Sequence, residues 1–299
     1  MELAILFWFY KEPEICKNHL ELLRRYNPNV PIYGLYGGDL DKVDNFKSLA
    51  DTYLDDLYVF TQDKDSSWKW HLGDLLITDW YAQRGKHLSW DTIIIVQWDM
   101  LVFGSVYDLF SMLQKDQILL SGLRPIKEIE EKWSWTSTVL IPKLRKLYLD
   151  FLGWVKDKYH YDQDPLCCLF IVVCFPRSFL AKYSEIEQPE LGFLEYRVPI
   201  YAQIFGTPFC IDHPFEPWWP GDSTTSKNKE TLNAKRHDVG LTAIFKNLID
   251  SKGVRVFHPY RKVFPLKAAQ WWWVFPIFVQ ERMERVYETM KRIRYQQKY

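Results

Sequence analysis

The feature that most constrains the fold is a pair of short, almost wholly apolar segments, Leu3–Tyr10 and Thr92–Val96. A strand with one face in water alternates polar and apolar residues, whereas a strand covered on both faces is continuously apolar. Thr92–Val96 reads TIIIV, and its β-branched side chains favour an extended backbone. Both segments therefore predict central strands of a sheet whose two faces are covered.

Further strands and helices alternate along the first hundred residues. Pro13 opens a helix that Asn27-Pro28 ends, Pro31–Tyr36 and Asp56–Phe60 have strand character, and Trp68–Arg84 has apolar residues at helical spacing. This alternation predicts an α/β fold with a Rossmann-like, mostly parallel sheet flanked by helices. Ligands of such sheets bind beyond the carboxyl ends of the strands, so we expect the loops after Tyr10, Tyr36, Phe60 and Val96 to form one cleft.

The second half of the chain is less regular. It predicts a strand at Val139–Ile141, a helix at Pro142–Trp154, a buried helix at Pro165–Cys174 and an amphipathic helix at Gly192–Phe205. His213–Lys229 contains three prolines and a polar Ser/Thr/Lys stretch. A connection of that length predicts a long loop, and long loops tend to be functional or disordered.

Composition narrows the class of protein. Lys+Arg and Asp+Glu are both 38, which argues against a nucleic acid as main partner. The 5 cysteines are an odd number without CxxC spacing, so neither a disulfide framework nor a zinc site is expected, and reduced thiols favour a cytoplasmic location. The opening MELAILFWFY lacks a basic n-region and reads as a strand, and no apolar run approaches the roughly 18–20 residues of a membrane span.

The sharpest functional signal is Asp99, which follows the strand Thr92–Val96 in the sequence QWD, with Gly104 and a helix start near Ser105 soon after. A carboxylate at the end of a strand in an α/β sheet is well placed to hold a hard divalent cation, which prefers oxygen ligands. Such a cation bridges phosphate oxygens and offsets charge on a leaving diphosphate. The alternative is a turn aspartate that caps a local backbone amide.

At this point the chain resembles the GT-A glycosyltransferases, in which the corresponding strand ends in a metal-binding DxD motif. The matching residues are Gln97, Trp98 and Asp99, so the motif is degenerate, with Gln97 in place of the first acid. The resemblance implies a nucleotide-sugar donor and Mn²⁺ or Mg²⁺ as cofactor. It also implies a late histidine that completes the metal site, and His258 in VRVFHPYRK matches it.

Other parts of the family pattern map in order onto this chain. The resemblance implies nucleotide-sugar contacts from Phe9, Tyr10 and Lys11 after the first strand, and from Asp74, Gln97 and Trp98. It implies an acceptor-side acid, matched by Glu195, as general base. From chemistry alone, Arg261 and Lys262 beside His258 suit a diphosphate, and Trp218 and Trp219 suit stacking on an acceptor sugar.

Each of these residues also has a structural interpretation. Asp74 in mid-helix fits a solvated helix face, and Glu195 fits a surface pair with Arg197 or Lys182. His258 fits a packed loop histidine, and its basic neighbours fit an exposed charged turn. The two tryptophans also fit a role in pinning their loop to the body of the protein, since aromatic residues more often fill cores.

We expect a GT-A-like domain over residues 1–265 and an aromatic and basic helical extension over residues 266–299. The extension joins the run WWWVFPIF to a helical stretch rich in Lys and Arg, a combination typical of membrane-surface helices. It predicts peripheral contact with a membrane and would suit a lipid-linked acceptor. The alternative is a helix that docks on the domain with a basic outer face.

The sequence thus predicts a metal-assisted glycosyltransferase that moves a sugar from a nucleotide-diphospho-sugar to an acceptor hydroxyl. A catalytically inactive GT-A-like domain that binds a glycan or nucleotide, or acts as a scaffold, is the main alternative, and Gln97 favours it. A sugar-phosphate nucleotidyltransferase is disfavoured because no Gly-rich loop follows the first strand. A lectin-like glycan binder rests only on the aromatic content, which is 17% of the chain.

Overall fold

The computed structural model describes residues 1–219, 222, 230–234, 237–266 and 283. The strands are β1 (Leu3–Phe9), β2 (Ile32–Tyr36), β3 (Asp56–Val59), β4 (Thr92–Gln97), β5 (Leu101–Val102), β6 (Leu119–Leu120), β7 (Arg124–Pro125), β8 (Leu166–Cys167), β9 (Val173–Pro176) and β10 (Val256–Phe257). The helices are α1 (Pro13–Tyr26), α2 (Lys47–Tyr53), α3 (Ser66–His71), α4 (Gly73–Gln83), α5 (Val106–Leu109), α6 (Pro142–Tyr159), α7 (Arg177–Tyr183), α8 (Leu194–Ile204) and α9 (Leu241–Ile249).

The main sheet has the strand order β3-β2-β1-β4-β9-β6. Strands β1 to β4 pair in parallel, with Phe7 opposite both Gly34 and Val96, whereas β9 runs antiparallel to β4 and to β6. The prediction of an α/β fold with a mostly parallel sheet flanked by helices is therefore confirmed. The carboxyl ends of the four parallel strands lie at one edge of the sheet, as the sequence predicted.

Burial explains why β1 and β4 are continuously apolar. All of β4 except Gln97 is buried, and in β1 only Trp8 is partly exposed. Helix α1 buries Cys16, Leu20 and Leu23, which are spaced for one helical face, and Pro13 lies at its first turn. Fully covered strands of this kind occur where helices lie on both faces of a parallel sheet.

Two predicted elements in the second half are wrong. Pro165–Cys174 is not a helix but contains β8 and the start of β9. A short apolar run does not distinguish a buried strand from a buried helix by periodicity, and the β-branched Ile171, Val172 and Val173 favour the strand. Val139–Ile141 is not a strand: the Ser137 hydroxyl accepts hydrogen bonds from the Val139 and Leu140 N–H groups, in a turn that leads into α6.

The predicted helix Trp68–Arg84 is broken into α3 and α4 at Leu72. The break allows the ring of Trp8 to approach the backbone closely. A Cβ atom at Gly73 would lie 2.2 Å from the Trp8 ring, so this position requires glycine. The predicted helices at Pro142 and Gly192 are present as α6 and α8, and α6 extends to Tyr159.

A small antiparallel pair of strands brings the chain around β10 to the edge of the main sheet. Strand β10 pairs with β5, which begins four residues after the end of β4, with Phe257 opposite Leu101. These strands lie in a second apolar cluster that includes Phe103, Ile244 and Tyr260. Among the residues that the structure describes, no helix has the length and apolar character needed to cross a membrane.

Candidate active site

Asp99 lies in the turn that follows β4, at the carboxyl edge of the sheet. The turn closes with a hydrogen bond from the Met100 N–H to the Gln97 carbonyl (2.9 Å), and the Trp98 N–H donates to the Trp8 carbonyl (2.9 Å). Asp99 is 7% exposed. The sequence therefore placed this carboxylate correctly at the tip of a buried strand.

The β5–β10 pair brings His258 to Asp99. His258 directly follows β10, and the Tyr260 N–H donates to the Asp99 carbonyl oxygen (2.7 Å), which fixes the segment beyond it. The His258 Nε2 lies 3.5 Å from the Asp99 Oδ1. Two residues that are far apart in sequence, and that the resemblance paired as metal ligands, thus face each other.

Arg261 is the third member of this group. Its Nε lies 3.4 Å from the Asp99 Oδ2, and its guanidinium also lies 3.5 Å from the Asp238 carboxylate. Burial opposes ionisation of Asp99, but the neighbouring His258 and Arg261 outweigh it, so the pKa of the Asp99 carboxyl is lowered. Burial raises the pKa of Asp238. Asp99 is therefore the ionised carboxylate at the centre of the site.

The orientation of the His258 ring is set by Asn233. The His258 Nδ1 lies 3.0 Å from the Asn233 carbonyl oxygen, which only accepts hydrogen bonds, so Nδ1 carries a proton. In a neutral ring, the lone pair of Nε2 then faces the Asp99 carboxylate. A cation or a second proton on the ring is needed to make that approach favourable.

An aromatic and cationic wall adjoins Asp99 at the end of β1. The rings of Tyr10 and Trp98 meet edge-to-face at 5.8 Å, and the Lys11 ammonium lies 4.9 Å from the Trp98 ring. Tyr10 is 42% exposed, whereas Trp98 is buried. We name the group formed by Tyr10, Lys11, Trp98, Asp99, His258 and Arg261 the Asp99 cluster.

Two buried residues of α1 that the sequence analysis missed hold the frame of this cluster. The His19 ring nitrogens contact the carbonyl oxygens of Trp98 (2.8 Å) and Lys262 (3.1 Å). Asn18 exchanges two hydrogen bonds with the backbone of Phe264. Burial lowers the pKa of His19 to about 4, so the ring is neutral near pH 7 and donates to one carbonyl at a time. No sequence signal identifies these partners, which are backbone atoms from distant segments.

Glu195 connects to the same edge of the sheet through one backbone segment. Gln97 donates from Nε2 to the Phe170 carbonyl (2.7 Å), and the Phe170 N–H donates to the Glu195 Oε1 (3.0 Å). The Glu195 side chain is partly exposed, and burial raises the pKa of its carboxyl to about 8. The pairing with Arg197 or Lys182 that was its structural alternative is absent from the contacts of the described residues.

Asp74 is a correction to the predicted site. It is 1% exposed, and its carboxylate binds the guanidinium of Arg197 and the hydroxyl of Tyr183, both fully buried. Its charge and its hydrogen-bonding capacity are therefore taken up inside the protein. The sequence suggested a polar side chain beside a nucleotide, whereas Asp74 joins α4 to α7 and α8.

Phe9 is a second correction, because its ring lies in the core. It is 0% exposed and packs against Tyr36 and Phe46, since successive side chains of a strand point to opposite faces and this one points inward. The Lys262 carbonyl contacts the His19 ring, the residue itself is exposed, and its charge acts on Asp238, the second partner of Arg261.

The two tryptophans of the predicted acceptor loop differ. Trp219 is 1% exposed, donates from its indole nitrogen to the Gly122 carbonyl and packs against Trp133. It therefore pins the loop to the body, which was the structural alternative. Trp218 is bridged to Asn233, the residue that orients His258, so its backbone lies beside the Asp99 cluster. Most of residues 220–229 and the extension 266–299, except Leu266 and Met283, lie outside the described residues.

The donor set tests whether a divalent ion fits here. Two atoms 3.5 Å apart, such as the Asp99 Oδ1 and the His258 Nε2, are both able to reach one ion at the usual ligand distance of about 2.1 Å. Within the described parts of the chain, no group of three His, Cys, Asp or Glu side chains is arranged around a common point. The residues therefore fit an ion whose remaining ligands come from a substrate phosphate and water, as is usual for Mg²⁺.

Comparisons with known proteins give structural matches but no sequence match. No family model matches the chain, and no curated protein matches its sequence. One solved structure that resembles it is described as the apo structure of the bifunctional glycosyltransferase WbbM. The two share 10% identity with a TM-score of 0.43 over 87% of this chain. The match spans 46% of the WbbM chain, less than half of its length.

Proposed function

We propose that this chain is a glycosyltransferase of the GT-A type, which moves a sugar from a nucleotide-diphospho-sugar to an acceptor hydroxyl. One observation carries the proposal: an ionised, buried Asp99 at the carboxyl end of β4 faces His258 at 3.5 Å. In open α/β sheets this edge is where ligands bind. A carboxylate and an imidazole held together at that edge support a phosphate-binding, metal-assisted chemistry.

Asp99 and His258 would hold Mn²⁺ or Mg²⁺ in this proposal. The Nδ1 of His258 is committed to the Asn233 carbonyl, which leaves Nε2 for the ion. When bound, the ion offsets the negative charge that grows on the leaving diphosphate. Arg261, with Lys11 nearby, supplies additional positive charge for the same phosphates.

The nucleotide-sugar lies across the carboxyl ends of β1 and β4 in this proposal. The exposed ring of Tyr10 and the edge of Trp98 give a nucleobase or ribose an apolar surface, and Lys11 sits over both rings. Gln97, whose amide nitrogen is bound to Phe170, keeps its carbonyl oxygen for a ribose hydroxyl. We leave Asp74 and Phe9 out of the donor site because both are buried in other contacts.

Glu195 is the proposed general base. A carboxyl with a pKa of about 8 is a stronger proton acceptor than an ordinary glutamate once it is ionised. It takes the proton of the acceptor hydroxyl while that oxygen attacks the anomeric carbon. The bond from that carbon to the diphosphate oxygen breaks, and its electron pair leaves with the nucleoside diphosphate. The acceptor is a carbohydrate or a lipid-linked glycan, which enters on the side of Glu195 and Trp218.

A catalytically inactive domain is the second candidate, and Arg261 favours it. The Arg261 guanidinium already lies 3.4 Å from Asp99, so an internal cation neutralises the carboxylate that a metal ion would need. Gln97 also replaces an acid of the DxD motif. A protein with this arrangement would bind a nucleotide or glycan without transfer.

Isothermal titration calorimetry with UDP and GDP, each with and without Mn²⁺, tests the donor site. We expect Mn²⁺-dependent binding of at least one nucleotide to the wild-type chain. Asp99→Asn, which keeps the shape of the side chain, should weaken that binding about tenfold or more, since it removes a charged ligand. Asp150→Asn is the matched control, because Asp150 forms an exposed ion pair with Lys146 on α6. This variant should bind the nucleotide as the wild type does.

Two outcomes would contradict the proposal. Equal binding by wild type and Asp99→Asn excludes the metal role of Asp99. Binding without hydrolysis or transfer of any UDP- or GDP-sugar, over a panel of sugar acceptors, supports the inactive domain. Thermal unfolding of each variant confirms that a loss of binding is not a loss of folding.

A further inference from the structure

A hollow opens beside α3, the short helix that packs at the carboxyl edge of the main sheet. It has a volume of about 230 Å³. Its principal lining residues are Asp65, Trp68, His71, Leu147, Glu190 and Phe193. Ligand pockets for drug-sized molecules are usually about 300–1,000 Å³, so this α3 hollow has room for one small ring.

The local sequence explains how α3 presents these side chains. Asp65 caps the helix, its Oδ1 accepting from the Trp68 N–H at 2.7 Å. Trp68 stacks on Phe60 just beyond the end of β3, and Lys69 donates to the Gly38 carbonyl. The helix is therefore fixed to the carboxyl edge of the sheet, and its other side faces the chain before α8.

Phe193 lines the hollow, and the ring of Trp70 adjoins it through contacts with two lining residues, His71 and Phe193. Phe193 stacks on Trp135 with ring centroids 3.6 Å apart and an angle of 10° between the planes. Trp70 contacts both rings at 6.0 Å yet is 64% exposed, which is unusual for the largest apolar side chain. A large exposed aromatic face beside a hollow marks a ligand surface, and its shape matches the apolar C–H face of a pyranose.

Hydrogen-bond donors and acceptors also line the hollow. The Trp68 indole N–H is buried and has no hydrogen bond of good geometry to a described residue. The pKa of the Glu190 carboxyl is lowered mainly by Lys64, and the nearby Trp68 N–H lowers it further. A hydroxyl group both accepts and donates, so one hydroxyl is able to join the indole N–H to the carboxylate. The His71 Nδ1 is turned to the Ser67 carbonyl (2.7 Å), which leaves its Nε2 as a further acceptor.

Charge excludes the two other ligand classes that aromatic pockets recognise. Asp65 and Glu190 repel an anion such as phosphate. A cation is also disfavoured, because Lys64 already pairs with Glu190 at 2.8 Å and lies 4.7 Å from the Trp68 ring. The ligand that remains is neutral and rich in hydroxyl groups.

We propose that the α3 hollow is a carbohydrate-binding subsite that takes a single neutral pyranose ring, stacked on the adjoining Trp70 ring and hydrogen-bonded to Glu190. Phe193, which lines the hollow, lies two residues before Glu195, the proposed general base. The ring held in the hollow therefore belongs to the acceptor glycan. That last step rests on the proposed function, whereas sugar binding itself does not.

Saturation-transfer NMR with the full chain tests this subsite without nucleotide or metal, so its outcome is independent of the donor site. The probes are the methyl pyranosides of glucose, galactose, mannose and N-acetylglucosamine at millimolar concentration. At least one should bind the wild type. Trp70→Ala and Glu190→Gln should each weaken that binding about 3- to 10-fold, the range expected for one aromatic contact or one hydrogen bond.

Tyr26→Ala is the matched control, since Tyr26 is also an exposed aromatic (42%) but lies at the far end of α1. It should bind the probe as the wild type does, and circular dichroism should show all variants folded. The proposal is overturned if none of the pyranosides binds, or if binding survives both substitutions. It is also overturned if tetramethylammonium or inorganic phosphate binds in a manner that depends on Trp70 and the pyranosides do not.

Discussion

Two carboxylates in this protein, Asp74 and Asp99, each face an arginine, but only the pair formed by Asp74 is closed off from solvent. Asp74 and Arg197 are both fully buried, and Tyr183 and two backbone carbonyls complete their hydrogen bonds. Asp99 faces His258 and Arg261 at 3.4–3.5 Å, and Arg261 is 36% exposed. The closed pair has its charges and hydrogen bonds satisfied inside the protein, whereas the open group keeps contacts that a ligand is able to replace.

The difference is visible in the geometry and not in the residue types. A buried pair tolerates no missing partner, because a single charge left in the interior has lost its hydration without compensation. A group at the rim exchanges a partner for water or for a ligand at lower cost. Asp–Arg proximity alone therefore does not distinguish a structural pair from a binding site.

Breaking the closed pair should have the largest effect. Arg197→Met leaves Asp74 buried without its cation, and we expect the free energy of unfolding to fall by about 3–5 kcal/mol in urea denaturation. Asp74→Leu combined with Arg197→Met removes both charges and should recover most of the loss. If the single substitution costs less than about 1 kcal/mol, Asp74 does not depend on Arg197 to compensate its buried charge.

Glu195 sharpens the comparison because no cation of the described residues pairs with it. Burial raises the pKa of its carboxyl to about 8, above the value of about 4.3 in an unfolded chain. The folded state therefore holds this proton more tightly, so its contribution to stability is full below about pH 4 and is lost as the pH rises through 8.

Glu195→Gln cannot ionise and should lack this decline. Between pH 5 and 9 we expect it to gain about 1–2 kcal/mol relative to the wild type, a value reduced for a partly exposed group. Urea denaturation at several pH values measures the difference. Glu187→Gln, an exposed partner of Lys158, should follow the wild-type profile. Parallel profiles for all three proteins would show that Glu195 ionises like a surface glutamate.

The smallest effect on stability is expected at the open group. Arg261→Ala should change the free energy of unfolding by no more than about 1 kcal/mol, because the pair is partly exposed. It should weaken binding of a nucleoside diphosphate about tenfold, measured by calorimetry. Lys262→Ala removes a neighbouring charge on an exposed side chain, which is screened by water, and should weaken this binding less than Arg261→Ala does. Equal losses of affinity in both variants would indicate a general charge effect and not a specific contact.

The parallel half of the fold was predictable because its signals are local. Continuous apolar runs such as Leu3–Phe9 and the strand at Thr92 are recognised from their own residues. A run without polar residues indicates burial on both faces, whatever packs against it. The position of Asp99 follows from the same logic, because the carboxyl ends of parallel strands meet at one edge.

The rest depended on contacts that no local pattern encodes. Strands β5 and β10 are two residues each, too short for a periodic signal, yet their pairing brings His258 to Asp99. Asp74 was assigned to a ligand because its partner Arg197 lies 123 residues away. His19 was missed because its partners are carbonyl oxygens, which every residue has.

The Asp99 cluster also has a consequence for the order of events during synthesis. Asp99 and Arg261 are 162 residues apart. His19 and Asn18 contact Lys262 and Phe264, which are translated even later than β10. At about 5–20 residues per second, roughly 8–30 s separate the appearance of Asp99 and Arg261 from the ribosome. The parallel strands leave the exit tunnel long before His258 and Arg261, so the nascent domain passes through a stage in which Asp99 is a lone carboxylate. A growing chain of this protein therefore completes the Asp99 cluster only after the 162 residues between Asp99 and Arg261 have been made, and the nucleotide affinity that we propose for the cluster would appear no earlier.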